Sequence, residues 1–162
     1  RIRGLGPAKA AELAASFELA RRLREQGADP GERLDSPAKV WARLEPLTVG
    51  LAVEKCWVLS LNRRHRLLGL QEVSSGTATS SLLHPREVFR IALKHAAPAA
   101  IVAHNHPSGD PAPSPADRAV TRQLTEAGRV LGVELLDHVI IGRPETDPAG
   151  KGWFSFGEAG LI

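Results

Sequence analysis

Cysteine is almost absent from this 162-residue chain: Cys56 stands alone, which excludes an internal disulfide and leaves histidine and carboxylate as the plausible protein ligands for zinc. Methionine and tyrosine are missing altogether. With 16 of the 21 basic residues being arginine, this reads as genomic bias more than function. No apolar run approaches the roughly 18 residues of a membrane span, and the N-terminus lacks the apolar core of a secretory signal, so a cytoplasmic location is expected. Internal repeats and low-complexity tracts are lacking too. What is present is ordinary for a globular chain: 43% hydrophobic and 24% charged residues, enough for one good core.

The net charge of +3 is unevenly spread. Residues 1–24 carry six Lys/Arg against Glu12 and Glu18, whereas residues 96–162 carry five against eight Asp/Glu. A nucleic-acid footprint is therefore expected only in the first two thirds. Residues 1–25 read as a glycine turn and a helix: Gly4-Leu5-Gly6 precede Pro7 at a first helical position, and Leu13, Phe17 and Ala20 recur at helical spacing. The stretch from Gln26 to Gly31 reads as a linker. This divides the chain into a short helical segment with its linker, residues 1–35, and a main domain, residues 36–162. A chain that starts at Arg1 without Met, inside what reads as a motif, is expected to be a fragment of a longer protein.

In the main domain, Ser36-Pro37 opens a helix with Val40, Trp41 and Leu44 on one face. The run from Val53 to Leu61, the turn Asn62–His65 and the run from Arg66 to Val73 read as a hairpin, and residues 75–80 as a third strand. His84-Pro85 begins a second helix carrying Val88, Ile91, Ala92 and His95. Ala99 to His104 is a short apolar strand. A third helix runs from Ser114 to Leu131, with Ala116, Val120, Leu124, Ala127 and Leu131 on its buried stripe. Val133–Gly142 and Gly152–Phe156 close the order as strands. The sum is an α/β domain with a mixed sheet.

The short strand runs into His104-Asn105-His106. Residues i and i+2 of a strand share a face, so both imidazoles can meet one ion while Asn105 faces away. Asp117 supplies a third ligand from the start of the next helix, after a loop stiffened by Pro107, Pro111, Pro113 and Pro115. Two histidines, one carboxylate and an open fourth position match a catalytic zinc site, because structural zinc sites close all four positions. The bland alternative is that His-x-His ends a strand by chance and that Ser114-Pro115-Ala116-Asp117 is only a helix start, with Ser114 as N-cap. The two readings are compatible, since a capped helix N-terminus is a good way to aim Asp117. Among the other histidines, His65 lies in a basic turn, His95 and His138 read as packing or hydrogen-bonded residues, and His84 shapes the start of its helix. Cys56 reads as a small core residue.

His104-x-His106, seven residues, Ser114, two residues, Asp117 resembles the JAMM metalloprotease pattern. The flanking His-Asn-His-Pro-Ser-Gly-Asp, together with His84–Phe89, Asp137–Gly142 and Ser155-Phe156, resembles the bacterial RadC family over about residues 36–162. The resemblance implies a JAMM/MPN fold, a cytidine deaminase-like three-layer arrangement of a mixed sheet flanked by helices. It implies one Zn2+ held by His104, His106 and Asp117, with water completing the coordination. Glu54 corresponds to the glutamate that takes the water's proton, and Ser114 to the hydrogen-bond donor for the oxyanion. From the residues alone the alternative for Glu54 is a solvent-facing strand residue, and Glu72 is the fallback base. Trp153-Phe154 departs from the family by standing where a tyrosine is expected.

Gly4-Leu5-Gly6-Pro7-Ala8-Lys9-Ala10 resembles the hairpin and second helix of a helix-hairpin-helix, with Gly4, Gly6 and Lys9 as candidate DNA contacts and Arg1 and Arg3 adding charge. The alternative is a glycine turn that merely starts a helix. Two functions follow. One is zinc-dependent hydrolysis of a peptide or isopeptide bond in an unidentified protein or peptide. The other is a DNA-associated accessory module with a structural or vestigial zinc, in line with the DNA-repair label attached to RadC proteins. Attack on a phosphodiester fits less well, since nucleases commonly pair two metals. Salt-sensitive DNA binding lost on deleting residues 1–35 separates the second function from the first. No membrane partner is expected.

Overall fold

The apolar run ahead of the Asn62–His65 turn forms an inner strand of the sheet. In the computed structural model, which describes residues 6–26, 31–73 and 83–162, this run is strand β1 (Cys56–Leu61), with all six side chains buried. A strand covered on both faces needs no polar alternation, which is why the run is apolar throughout except for Ser60. Cys56 and Val58 join one core cluster, whereas Trp57, Leu59 and Leu61 join the other.

β1 pairs antiparallel with β2 (Leu67–Val73) and with β3 (Ala99–Asn105). β3 runs parallel to β4 (Glu134–Ile141), and β5 (Trp153–Ser155) closes the order β2-β1-β3-β4-β5. Parallel neighbours require a crossover. Here it is α4 (Pro115–Leu131), which with α3 (Pro85–Lys94) packs Val88, Phe89, Val120 and Leu124 on one face of the sheet. The opposite face is covered by α2 (Pro37–Thr48) through Val40 and Leu44, together with Leu34. Each such aliphatic side chain contributes roughly 1.5–3 kcal/mol when fully buried. Trp41 Nε1 donates to the carbonyl of Gly142 at 3.3 Å and so ties α2 to the end of β4. The expected three-layer mixed α/β arrangement is therefore present. No helix among the described residues is long and apolar enough to cross a membrane.

The preceding α1 (Pro7–Gln26) exposes Leu13 and Phe17, so the spacing that marks it as a helix is not that of a buried stripe. Arg33 bridges to Arg66 and Leu34 is buried, so packing onto the sheet begins just ahead of Ser36. Residues 27–30 of the expected linker and the expected strand at 75–80 lie outside the described residues.

Two boundaries differ from expectation with consequences for the site. β1 starts at Cys56 rather than Val53, because the side chain of Asn105 takes the ladder position at Lys55. In α4 the buried stripe is Val120, Thr121, Leu124 and Gly128, while Ala116 and Leu131 are exposed in the first and last turns. Thr121 is the informative member, since a buried hydroxyl needs a partner. α4 ends at Gly132, whose φ of 68° is the left-handed cap that glycine adopts without strain.

Candidate metal centre

β3 delivers His104 at its C-terminal end, between Cys56 of β1 and Ile140 of β4, and the side chain is only 3% exposed. His106 lies one residue beyond the strand. Its backbone N–H donates to Ile141 O at 3.1 Å, so the chain is still pinned to β4 as it leaves the sheet. The loop then turns through Gly109 (φ 85°), where Arg143 lies against the glycine and donates to Ser108 O at 2.7 Å. A β-carbon at Gly109 would strike that guanidinium. The loop delivers Ser114 and Asp117 in a capping box: Ser114 Oγ accepts from Asp117 N at 3.2 Å, and Asp117 Oδ2 accepts from Ser114 N at 2.8 Å.

The three side chains meet. His104 Nε2 is 3.1 Å from His106 Nε2 and 3.2 Å from Asp117 Oδ1, and His106 Nε2 is 3.6 Å from Asp117 Oδ2. The hydrogen-bond network assigns which nitrogens carry protons. A carbonyl can only accept, so Thr121 Oγ1 donates to Asp117 O at 2.5 Å. Its oxygen must then accept from His138 Nδ1–H at 2.7 Å. His138 Nε2 is left with a lone pair and accepts from His104 Nδ1–H at 2.9 Å. His104 Nε2 is therefore an electron-pair donor. The same logic holds for His106, whose Nδ1–H donates to Asp110 O at 2.8 Å.

Two nitrogen lone pairs and a carboxylate thus converge, an arrangement that is repulsive unless a cation sits among them. Ligands about 2.0–2.1 Å from a tetrahedral zinc lie about 3.3–3.4 Å apart, close to the separations found here. The donor set of two imidazoles and one carboxylate also suits zinc. His104, His106 and Asp117 could hold a metal ion, and they are the one such cluster among the described residues.

The charges of the three side chains depend on one another. Burial opposes ionisation of Asp117, but the contacts with His104, His106 and Ser114 outweigh it and hold the carboxyl well below its usual range. Contact with the Asp117 carboxylate raises His106 against the opposing effect of burial. Burial, then the neighbouring His104, lowers His138 to about 3, so it stays neutral and keeps both of its hydrogen-bond roles. It is fully buried and stacks on Phe156 with ring centroids 4.8 Å apart. Burial likewise raises the thiol of Cys56, which remains an uncharged core group.

Glu54 is exposed, two residues ahead of β1. The β1/β3 register pairs Cys56 with His104 and continues through Asn105 N donating to Lys55 O at 3.2 Å; one further step of the same register would bring Glu54 opposite His106. Its negative charge contributes to the raised pKa of His106. Glu72 is not brought there. It pairs with Trp57, on the face away from His104, and its carboxylate takes Lys55 Nζ at 3.1 Å. Ser114 Oγ–H donates to Asp117 Oδ2 at 2.6 Å, so this hydroxyl touches a member of the cluster. Gly6 opens α1 and Lys9 is exposed on it, whereas Gly4, Arg1 and Arg3 lie outside the described residues.

His84 caps α3 by accepting Arg86 N at 3.2 Å, and His95, at the other end of α3, lies 2.9 Å from Ser60 Oγ. His138 is the packed, hydrogen-bonded residue expected, but its tie to the cluster was not foreseen, and neither were Thr121 and Asn105. Thr121 had a signal, since it stands one helical turn after Asp117 on the same face; His138 had none, because its partner comes from another strand.

A cleft of about 620 Å³ opens beside His106, between Trp41 and Leu51 on one side and Pro107 and Arg143 on the other. A larger depression of about 870 Å³ lies at the opposite end of the sheet, by Pro98 and Gly132, and contains none of the three cluster residues.

The RadC-like JAB domain family matches residues 34–161. A UPF0758 protein of Symbiobacterium thermophilum is 44% identical over 99% of this chain and 65% of its own length. One from Methanococcoides burtonii is 45% identical over 88% of this chain and 62% of its own, and one from Syntrophotalea carbinolica 42% identical over 99% and 68%. The chain thus spans about two thirds of the length of these curated relatives, or slightly less. With the mixed five-stranded sheet and the His104-His106-Asp117 cluster at the end of β3, this extent of similarity means that the chain belongs to the RadC-like JAB domain family.

Proposed function

We propose that this domain is a zinc-dependent hydrolase that cleaves a peptide or isopeptide bond. The observation that carries the reading is the tautomer assignment: Thr121, His138 and Asp110 commit the outer ring nitrogens, so that both Nε2 lone pairs and the Asp117 carboxylate are aimed at one point. His104, His106 and Asp117 would hold the ion. When bound, zinc supplies Lewis-acid polarisation of a carbonyl and lowers the pKa of water toward about 7.

The chain's own residues do the rest. Glu54, opposite His106 at the open side of the cluster, takes a proton from the attacking water and returns it to the leaving amine. Exposure suits this role, because the carboxylate must reach solvent and substrate. Ser114 Oγ is the donor for negative charge that develops on the carbonyl oxygen, a role that requires it to turn from Asp117 Oδ2. The cleft between Trp41 and Arg143, which includes His106 in its lining, is where a substrate chain would lie.

Metal analysis of the purified chain, followed by turnover on a peptide and isopeptide library, tests the reading. One zinc per chain is expected. Glu54→Gln should retain that zinc and lose roughly 10²–10⁴-fold in rate, while His106→Ala should lose both. A chain that purifies and reconstitutes without stoichiometric zinc sinks the proposal.

A further inference from the structure

The backbone on either side of Glu54 is held by a single side chain. Asn105 is 2% exposed, and its Oδ1 accepts from Lys55 N at 2.8 Å while its Nδ2 donates to Val53 O at 3.2 Å. In a regular antiparallel ladder Lys55 N–H, like Lys55 O, would pair with the backbone of Asn105. Only the second of these bonds is of that kind, Asn105 N donating to Lys55 O at 3.2 Å. The side-chain amide replaces the other and adds a bond to Val53. It presents one acceptor and one donor, as a peptide group of a neighbouring strand does, to residues i and i+2 of the segment Val53-Glu54-Lys55.

From these contacts we infer that Asn105 is the positioning residue for Glu54: its amide, standing in for a strand, fixes the segment that carries the base opposite His106. The inference rests on the assignment of Glu54 as base made above. The chemistry is specific to asparagine. Aspartate keeps the acceptor for Lys55 N but lacks a donor for Val53 O, and glutamine is one methylene too long for the same pair of contacts. The alternation of the strand makes the device economical. His104 and His106 face the cluster, and the residue between them, pointing to the other side, ties the base-bearing segment to the same three residues.

The test uses the whole chain as wild type, Asn105→Ala, Glu54→Gln and the double variant, with Asn105→Asp as a milder lesion should the alanine protein fail to fold. Amide exchange by NMR reads the clamp. Cobalt(II) in place of zinc gives a visible band whose pH midpoint reads the charge beside the ion. Glu54→Gln should move that midpoint down by about one pH unit, since a carboxylate no longer opposes a second negative charge.

Asn105→Ala should bind cobalt stoichiometrically, exchange the Lys55 amide roughly tenfold faster with Trp57 and Val58 unchanged, and shift the midpoint in the same direction as Glu54→Gln. In the Glu54→Gln background it should add no further shift. A wild-type midpoint in Asn105→Ala, or a shift that persists without Glu54, overturns the inference and leaves the base assignment intact. A wild-type midpoint in Glu54→Gln overturns the base assignment and this inference with it.

Discussion

Replacing His138 by phenylalanine isolates the contribution of a residue that touches no substrate. Phenylalanine keeps the ring and its stack on Phe156 but removes the acceptor for His104 Nδ1–H and the donor to Thr121 Oγ1. His104 Nδ1–H is then a buried donor without a partner, a loss of about 1–3 kcal/mol. The imidazole can relieve this by moving its proton to Nε2, which blocks the nitrogen aimed at the metal. Loss of such a supporting hydrogen bond typically weakens metal binding about 10–100-fold. At a zinc concentration about 100 times the wild-type Kd, binding adds about 2.7 kcal/mol to stability; for the variant this falls to about 0.4–1.4 kcal/mol. Competition against a chromophoric chelator measures the affinity directly, and melting each protein with and without zinc measures the linked stability. Because each protein is its own reference, the variant's intrinsic destabilisation cancels. A zinc affinity within twofold of wild type would refute the tautomer argument, and with it the claim that Thr121 and His138 set the donor atom of His104.

Three further outcomes follow from the same structure. Ser114→Ala removes one half of the capping box and the hydroxyl on Asp117 Oδ2; urea unfolding should show a loss of about 0.5–2 kcal/mol, accompanied by weaker zinc binding in the chelator assay. Gly109→Ala places a β-carbon at a positive φ and against Arg143, so the loop to Asp117 should shift at a cost of about 1–3 kcal/mol, seen as a lower melting temperature. For Asp137, burial raises the pKa above its ordinary value of 3.8, against the bonds from Ser155 and Gly157. A carboxyl raised in the folded state contributes stability below its unfolded pKa and loses it as pH rises through the folded value. Asp137→Asn should therefore flatten the fall in melting temperature from about pH 3.8 upward, and an unchanged slope would count against the assignment.

Much of the domain is written locally. The apolar run of β1, the Ser114-Pro115 helix start and the His-x-His spacing depend on neighbours a few residues away, through strand alternation and helix capping, so a linear reading finds them. That Asp117 closes on the histidines is nearly as legible, since the proline-rich loop and the capping box act within 14 residues. Local spacing misjudged where burial is decided by packing: Ala116 and Leu131 of α4 have the right period and are exposed, and Thr121 is buried in their place.

What only the tertiary structure decided is the set of contacts between strands and helices distant in sequence. His138 meets His104 because β3 and β4 run parallel, and Thr121 joins them because α4 crosses between those strands. Asn105 reaches back about 50 residues to the segment around Glu54, which is why β1 starts late. The sequence by itself determined which side chains could bind a cation. The fold decided which of their nitrogens carry protons, because a tautomer is chosen by the partner on the far side of the ring, and that partner is set by topology.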